Sequence, residues 1–157
     1  MKITDYQVFL VEVPEDMRTA GSHWILLKLL TDEGVVGYGE CTWHGFQNAT
    51  NARVLSDLCR DWVVGADPFG IEQLWKTLYL DPHNKRHTGP LVTPSISAIE
   101  IACWDIMGKA CGQPVYNLIG GRAHERLRSY SYLRNGGKDP KQIAEKAWGF
   151  IVGLGKS

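Results

Sequence analysis

The spacing of the apolar residues changes once along this chain, and that change restricts the possible folds more than any other feature. Up to about residue 40 the apolar residues form short runs bounded by turn residues, as in β-strands. Beyond it they recur every three or four residues, as in amphipathic helices. Strands followed by helices predict an α+β domain with the helices packed on one side of an antiparallel sheet.

Three strands are predicted in the first part of the chain. Residues 3–13 are rich in β-forming residues, and residues 24–30 are an apolar run short enough for a buried strand. The turn sequence TDEG at 31–34 leads into a third run at 35–40. The second and third runs should form a hairpin, so the expected sheet is a three-stranded antiparallel meander.

Three helices are predicted in the second part, each with one apolar face. Thr50 caps the first helix and Gly65 closes it, while Thr93 caps the third, with Pro94 in its first helical position. Gly112 and Pro114 end the third helix. The three apolar faces are Val54, Leu55, Leu58 and Trp62; Ile71, Leu74, Trp75, Leu78 and Tyr79; and Ile96, Ile99, Cys103, Ile106 and Ala110.

The last part of the chain has a different pattern. A strand is predicted at 127–133, and a helix follows it with Asp139 as cap and Gln142 in the capping-box position. A single βα unit with no parallel strand after it leaves both edges of its strand unpaired. We therefore expect the sequence to be part of a longer protein.

The composition argues against several classes of function. The chain has 17 basic residues (Lys and Arg) and 17 acidic residues (Asp and Glu). No excess of positive charge is present to neutralise phosphates, so no nucleic-acid partner is expected. The longest apolar run, at 24–30, contains Lys28 and is far shorter than the roughly 20 residues of a membrane span. The N-terminus lacks the apolar core of a signal peptide, so a cytoplasmic location is expected.

The four cysteines predict no disulfide and no metal site. No two of the cysteines have the C-x-x-C spacing; they are Cys41, Cys59, Cys103 and Cys111. Cys103 and Cys111 are eight residues apart on one predicted helix, about 12 Å, which is too far for a disulfide. We expect all four to be buried, reduced thiols.

Two segments together resemble a known family. The sequence SAIEIACWDIMGK at 97–109, followed by GQPVYNLIGG at 112–121, closely resembles the enolase superfamily, and within it the mandelate racemase / muconate lactonizing enzyme group. The segment TDEGVVGYGE at 31–40 resembles the second hairpin of that group, although it would not be specific alone. The order of elements agrees over essentially the whole chain, and the resemblance is closest to sugar-acid dehydratases.

The resemblance implies a domain organisation and a chemistry. Residues 1–122 correspond to the enolase N-terminal-like capping domain, and 123–157 to the first βα unit of a truncated (β/α) barrel. Such enzymes remove the proton α to a carboxylate, and Mg²⁺ stabilises the enediolate. Their base and metal ligands lie on later barrel strands. The resemblance therefore implies no catalytic residue and no metal ligand in this chain, which alone should be inactive and bind no Mg²⁺.

The resemblance also points to candidate substrate-binding residues. Two capping-domain loops close over the barrel mouth in the resembling enzymes, and they correspond here to residues 14–23 and 41–50. The first loop offers Arg18 and His23; the second offers Trp43, His44 and Gln47. Tyr132, near the end of the first barrel strand, would point to the same mouth. Their polar character favours a small carboxylate of the sugar-acid type, such as an aldonate, over an apolar aromatic acid.

Several alternatives remain open. The chain could belong to a mandelate-type racemase or a muconate cycloisomerase, or be a stand-alone binding or interaction module without catalysis. The candidate loop residues could simply be solvated. His83 and His87 have a spacing that could bind zinc on a helix, but Pro82 and Asn84 favour a loop there. The resemblance implies that Glu100 and Asp105 make structural hydrogen bonds and are not acid–base catalysts. In a monomer of an incomplete protein, apolar surface on the helical faces and on the predicted strand at Leu127 would be exposed, which predicts self-association, most simply a homo-oligomer.

Overall fold

A computed structural model describes residues 1–15, 22–41, 48–80, 89–128 and 139–154 of the chain. For residue 146 and residues 149–154 it describes the backbone only. The chain divides into two units, Met1–Arg122 and Ala123–Ser157, and each is described by itself.

The first unit begins with a three-stranded antiparallel sheet. Strands β1 (Ile3–Glu12), β2 (His23–Thr31) and β3 (Val36–Cys41) lie in the order β1-β2-β3. The turn between β2 and β3 places Gly34 at a φ of 76°, a left-handed conformation that glycine adopts without steric cost. The predicted meander and its hairpin are confirmed.

The two faces of the sheet differ in burial. Side chains alternate in direction along β2. Those that face the helices include Ile25, Leu27 and Leu29, which are at most 1% exposed. On the opposite face Trp24 and Tyr38 are about half exposed, at 51% and 54%. The helices therefore cover one face of the sheet, as the period-two pattern requires for a half-buried antiparallel sheet.

Helices follow the sheet in the order predicted. They are α1 (Asn48–Leu58), which continues into a π-helical turn at Cys59–Val63, then α2 (Ile71–Leu80), α3 (Val92–Cys111) and the short α4 (Val115–Leu118). Gly112 ends α3 in the left-handed conformation, with a φ of 62°. Its N–H and that of Gln113 donate to Lys109 and Gly108 carbonyls at 3.2 and 2.9 Å, which forms a Schellman motif.

Two predicted helix starts were wrong. Helix α1 begins at Asn48 and not after a Thr50 cap, because Asn48 is buried and its amide reaches the sheet. Helix α3 begins at Val92, so Thr93 lies inside it and donates its N–H to the Gly89 carbonyl at 3.2 Å. Pro94 is tolerated there because N–H groups of a first helical turn need no intrahelical acceptor.

Helix α3 packs closely against β3 because both elements carry small residues where they cross. A Cβ atom added at Gly39 would overlap the Ala98 carbonyl, and one at Gly37 would overlap the Ala102 carbonyl. The main chain of the helix therefore lies directly on the strand. This contact fixes the position of α3 relative to the sheet.

The second unit contains α5 (Pro140–Leu154). The carboxylate of Asp139 accepts a hydrogen bond from the Lys141 N–H at 3.0 Å, so the predicted cap is confirmed. Leu127 and Arg128, the first two residues of the predicted strand at 127–133, have no regular secondary structure. The rest of that predicted strand lies outside the described residues.

The cysteines agree with prediction at three of four positions. Cys41, Cys59 and Cys103 are buried free thiols in the core. Cys111 is exposed, contrary to expectation, because it lies in the last turn of α3 beyond the part of the helix that packs on the sheet. Among the described residues, no helix combines the length and apolar character of a membrane span.

Candidate functional site at one end of the sheet

Polar residues from four elements lie at one end of the sheet. His23 is the first residue of β2, Cys41 is the last residue of β3, and Asn48 is the first residue of α1. Ser95 lies in the first turn of α3. The Val13 N–H donates to the Ser22 carbonyl at 2.8 Å and joins the chain on either side of residues 14–21. We refer to Ser22, His23, Cys41, Asn48 and Ser95 as the polar edge.

His23 is held by two neighbours through a single ring nitrogen. Its Nδ1 lies 2.8 Å from the Ser22 hydroxyl and 3.5 Å from Nδ2 of Asn48. The alternation along β2 places His23 on the same face as Ile25, the face covered by the helices. The imidazole is therefore oriented by its own strand and by α1, and it is partly exposed at the edge.

Cys41 and Ser95 form the buried part of the polar edge. The Cys41 sulfur lies 3.9 Å from the Ser95 hydroxyl, which itself donates to the Leu91 carbonyl at 3.0 Å. Burial raises the pKa of the Cys41 thiol, and the contact with Ser95 only partly offsets that rise. The thiol is protonated at neutral pH and is a packing residue, not a nucleophile.

Of the predicted substrate-binding residues, the structure describes His23 and places it at this edge. The others, Arg18, Trp43, His44, Gln47 and Tyr132, lie outside the described residues, as do His83 and His87. Their roles stay predictions.

Sequence analysis missed Ser22 and Asn48 as partners of His23. Asparagine next to a helical pattern is a signal for a helix start, and it could have corrected the boundary of α1. It could not have shown that Asn48 lies beside a residue 25 positions earlier, since that contact depends on how α1 packs on the sheet.

The described residues do not fit a Mg²⁺ site. They contain no group of three or more His, Cys, Asp or Glu side chains that could hold a metal ion. Mg²⁺ needs oxygen ligands in nearly octahedral geometry. Asp57 and Asp61 are near each other, yet both pair with Arg60, at 2.6 and 2.7 Å.

Asp105 and Glu100 have structural partners, as expected. Asp105 accepts hydrogen bonds from the Tyr38 N–H at 2.8 Å and from the Lys109 ammonium at 2.6 Å. Glu100 accepts a bond from the indole N–H of Trp104 at 3.4 Å. These bonds tie α3 to β3 and stabilise the helix itself, and none of them lies at the polar edge.

A three-stranded meander covered on one face by helices is the architecture of a capping domain of the enolase superfamily. The family model for the mandelate racemase / muconate lactonizing enzyme N-terminal domain matches residues 8–120. The chain therefore belongs to the mandelate racemase / muconate lactonizing enzyme family of the enolase superfamily, and it contains that family's N-terminal domain.

Two relatives illustrate the similarity in sequence. The D-galactonate dehydratase of Ralstonia nicotianae is 41% identical over 120 residues, which are 76% of this chain and 30% of the relative. A D-galactonate dehydratase family member from Streptomyces bingchenggensis is 38% identical over 123 residues, 78% of this chain and 29% of the relative. The chain thus spans less than a third of the length of these relatives.

Solved structures agree with the fold. A mandelate racemase/muconate lactonizing enzyme from Labrenzia alexandrii superposes with a TM-score of 0.85 at 38% identity, over 97% of this chain and 39% of the other. One from Sulfitobacter sp. gives a TM-score of 0.84 at 34% identity, over 97% of this chain and 40% of the other.

Proposed function

We propose that this chain is the N-terminal part of a Mg²⁺-dependent sugar-acid dehydratase that acts on an aldonate such as D-galactonate. The observation that carries the proposal is the match to D-galactonate dehydratases at 38–41% identity. In this proposal, residues 1–122 form the capping domain and 123–157 the first βα unit of the barrel. Sugar-acid dehydration is preferred to racemisation or cycloisomerisation because the names of these two relatives refer to D-galactonate dehydratase.

The polar edge would take part in covering the substrate. A sugar acid carries hydroxyl groups along its chain, and a buried polar partner at each one discriminates strongly against molecules that lack it. His23 is a partly exposed hydrogen-bonding side chain at that edge, held by Ser22 and Asn48. Arg18, Trp43, His44 and Tyr132 complete the proposed set of substrate contacts.

The base and the metal ligands would come from outside this chain. Bound Mg²⁺ would stabilise the negative charge that develops when the α-proton of the carboxylate is removed. The described residues offer no set of converging carboxylates for it. We therefore expect the pure chain to bind no Mg²⁺ tightly and to show no dehydration of D-galactonate.

A hybrid enzyme tests the proposal. The matched N-terminal part of the Ralstonia nicotianae relative is replaced by this chain, and formation of the dehydrated keto acid is followed with Mg²⁺ and D-galactonate. We expect Mg²⁺-dependent dehydration. His23→Ala in the hybrid should raise KM about tenfold, the effect of losing one hydrogen bond of about 1.4 kcal/mol.

The matched control in the hybrid is His124→Ala, which removes a histidine outside the capping domain and should leave KM unchanged. A soluble, folded hybrid that does not dehydrate any aldonate would count against the proposal and favour an interaction module. Racemisation of mandelate by the same hybrid would overturn the choice of substrate class.

Self-association also remains a proposal. The face of the sheet away from the helices carries half-exposed Phe9, Trp24 and Tyr38, at 42%, 51% and 54% exposure. Large apolar side chains exposed on one face are a feature of many interfaces. Sedimentation velocity of the pure chain tests it, and a monomer at every concentration would contradict it.

A further inference from the structure

We propose that Asn48 is a positioning residue that holds His23 in the tautomer with its proton on Nε2, so that His23 presents an N–H donor to an oxygen acceptor of the substrate. The proposal rests on the proposed function for the identity of that substrate. The tautomer itself is a property of this chain and can be measured without any ligand.

The contacts around Nδ1 select the tautomer. A serine hydroxyl can donate or accept, so Ser22, at 2.8 Å, anchors the ring without choosing where the proton lies. The amide nitrogen of Asn48 can only donate, and it lies 3.5 Å from the same Nδ1. A hydrogen bond from this amide requires Nδ1 to accept, and that arrangement leaves the proton of the neutral ring on Nε2.

Burial makes Asn48 suitable for this role. Asn48 is 8% exposed, so little water competes for its amide, and its position at the start of α1 fixes it against β2. Ser22 and Asn48 both contact Nδ1, so Nε2 is the ring nitrogen that neither of them occupies. The His23 side chain as a whole is partly exposed. An N–H donor there suits a hydroxyl or carboxylate oxygen of a sugar acid.

Asn51 provides a matched control on the same helix. It is also buried, at 0% exposure, and its amide has no hydrogen-bond partner among the described residues. Replacing an unsatisfied buried amide by an apolar group of similar size is nearly neutral or stabilising. Asn51→Leu should therefore fold and leave His23 as it is in the parent chain.

The experiment is long-range ¹H–¹⁵N NMR of the side chain of His23 in the full 157-residue chain, at a pH where the ring is neutral. The two ring nitrogens have well-separated shifts in each tautomer. We expect an unprotonated Nδ1 and a protonated Nε2 in the parent and in Asn51→Leu. In Asn48→Asp the carboxylate can only accept, so the proton should move to Nδ1.

Asn48→Asp is chosen because it keeps the size of the side chain and adds a negative charge at a helix N-terminus, where it is favourable. The fold should therefore survive. A parent ring with its proton on Nδ1, or an Asn48→Asp ring that keeps the parent tautomer, would overturn the proposal.

Kinetics of the hybrid enzyme separate the inference from the proposed function. Asn48→Asp should raise KM for D-galactonate about as much as His23→Ala does, roughly tenfold, with kcat changed less, while Asn51→Leu matches the parent. If the hybrid shows no dehydration, the proposed function fails and the NMR result still decides the tautomer. If the tautomer changes as expected but KM does not, the role of Asn48 in binding substrate is refuted.

Discussion

Gly39 lies where α3 comes so close to β3 that a side chain has no space. Its Cβ would overlap the main-chain carbonyl of Ala98, which cannot move without shifting the helix. We expect Gly39→Ala to lower the free energy of unfolding by about 3 kcal/mol, the upper end of the range for overpacked sites. Urea denaturation followed by tryptophan fluorescence measures it.

The matched control for this prediction is Gly89→Ala. A Cβ at Gly89 meets no atom of the described residues within 4 Å, and its φ is outside the left-handed region. This substitution should be neutral or stabilise the fold by up to about 1 kcal/mol, because alanine restricts the unfolded chain. Equal effects at both glycines would contradict the role of close packing.

Asp57 makes stability depend on pH in the acid range. The hydrogen bond from Arg53, with a further contribution from Arg60, lowers the pKa of the Asp57 carboxyl in the folded state. Because the pKa of Asp57 is lower in the folded state, its ionised carboxylate stabilises the fold at pH values above the unfolded pKa of about 4. This stabilisation is lost as the pH falls through the folded pKa. Asp57→Asn should therefore flatten the acid limb of the stability curve.

The measurement is the urea midpoint between about pH 2 and pH 6, compared for the parent and Asp57→Asn. Arg53→Gln should flatten the same limb in part, since Arg60 still pairs with Asp57 at 2.6 Å. The effect is small because these groups are exposed and the ion pairs are screened. An acid limb that is unchanged in both variants would show that other carboxylates determine it.

At the scale of elements, side chains of α3 cap the open edge of β3. Asp105 accepts the Tyr38 N–H at 2.8 Å, and Lys109 donates to the Val36 carbonyl at 2.7 Å. Lys109 also lies over the Tyr38 ring, 4.9 Å from its centroid. Edge strands with free main-chain groups tend to pair with other chains, so these contacts both stabilise the strand and protect it.

Asp105→Ala should therefore lower stability and promote aggregation. We expect a loss of about 1 kcal/mol, the typical net contribution of one hydrogen bond, because the Tyr38 N–H loses its acceptor. The Lys109 ammonium keeps the Val36 carbonyl. A double-mutant cycle with Lys109→Met, in which the stem still covers Tyr38, measures the coupling between the two side chains. Strictly additive effects would mean that Asp105 and Lys109 act independently.

At the scale of the whole molecule, the core protects three of the four thiols. Burial raises the pKa of Cys59 and of Cys103 to about 12, and each thiol is completely buried. Cys111 is exposed. At neutral pH we expect iodoacetamide to alkylate Cys111 alone among the four until the chain unfolds, as measured by peptide mass spectrometry.

The same thiols predict a decline in stability at high pH. The pKa of Cys59 and of Cys103 is about 12 in the folded state and about 8.5 in the unfolded state. The buried neutral thiols therefore contribute fully to stability below about pH 8.5, and this contribution is lost as the pH rises through about 12. Cys103→Ala should reduce the decline. Labelling of Cys59 or Cys103 in the native chain as fast as Cys111 would contradict the burial of the core.

The sequence alone determined the order and type of the three strands and of helices α1, α2 and α3. Short apolar runs bounded by turn residues predicted the meander, and an apolar stripe with Gly112 beyond it predicted α3 and its end, because these signals are local. The long signature in α3 and the hairpin also indicated the family. Asn48 is a local signal that could have corrected the start of α1. The start of α3 and the exposure of Cys111 could not be predicted locally.

Only the tertiary structure decided which distant residues meet. The contacts that the structure adds join residues 25 to 73 positions apart in the sequence. They are the contact of Asn48 with His23, the packing of Gly37 and Gly39 against α3, and the hydrogen bonds of Asp105 and Lys109 to β3. The periodicity of a sequence shows which face of an element is apolar. It does not show which element covers that face or at which position along it the two elements pack. Packing of whole elements sets those distances, and it made a polar edge from residues that look unrelated in the sequence.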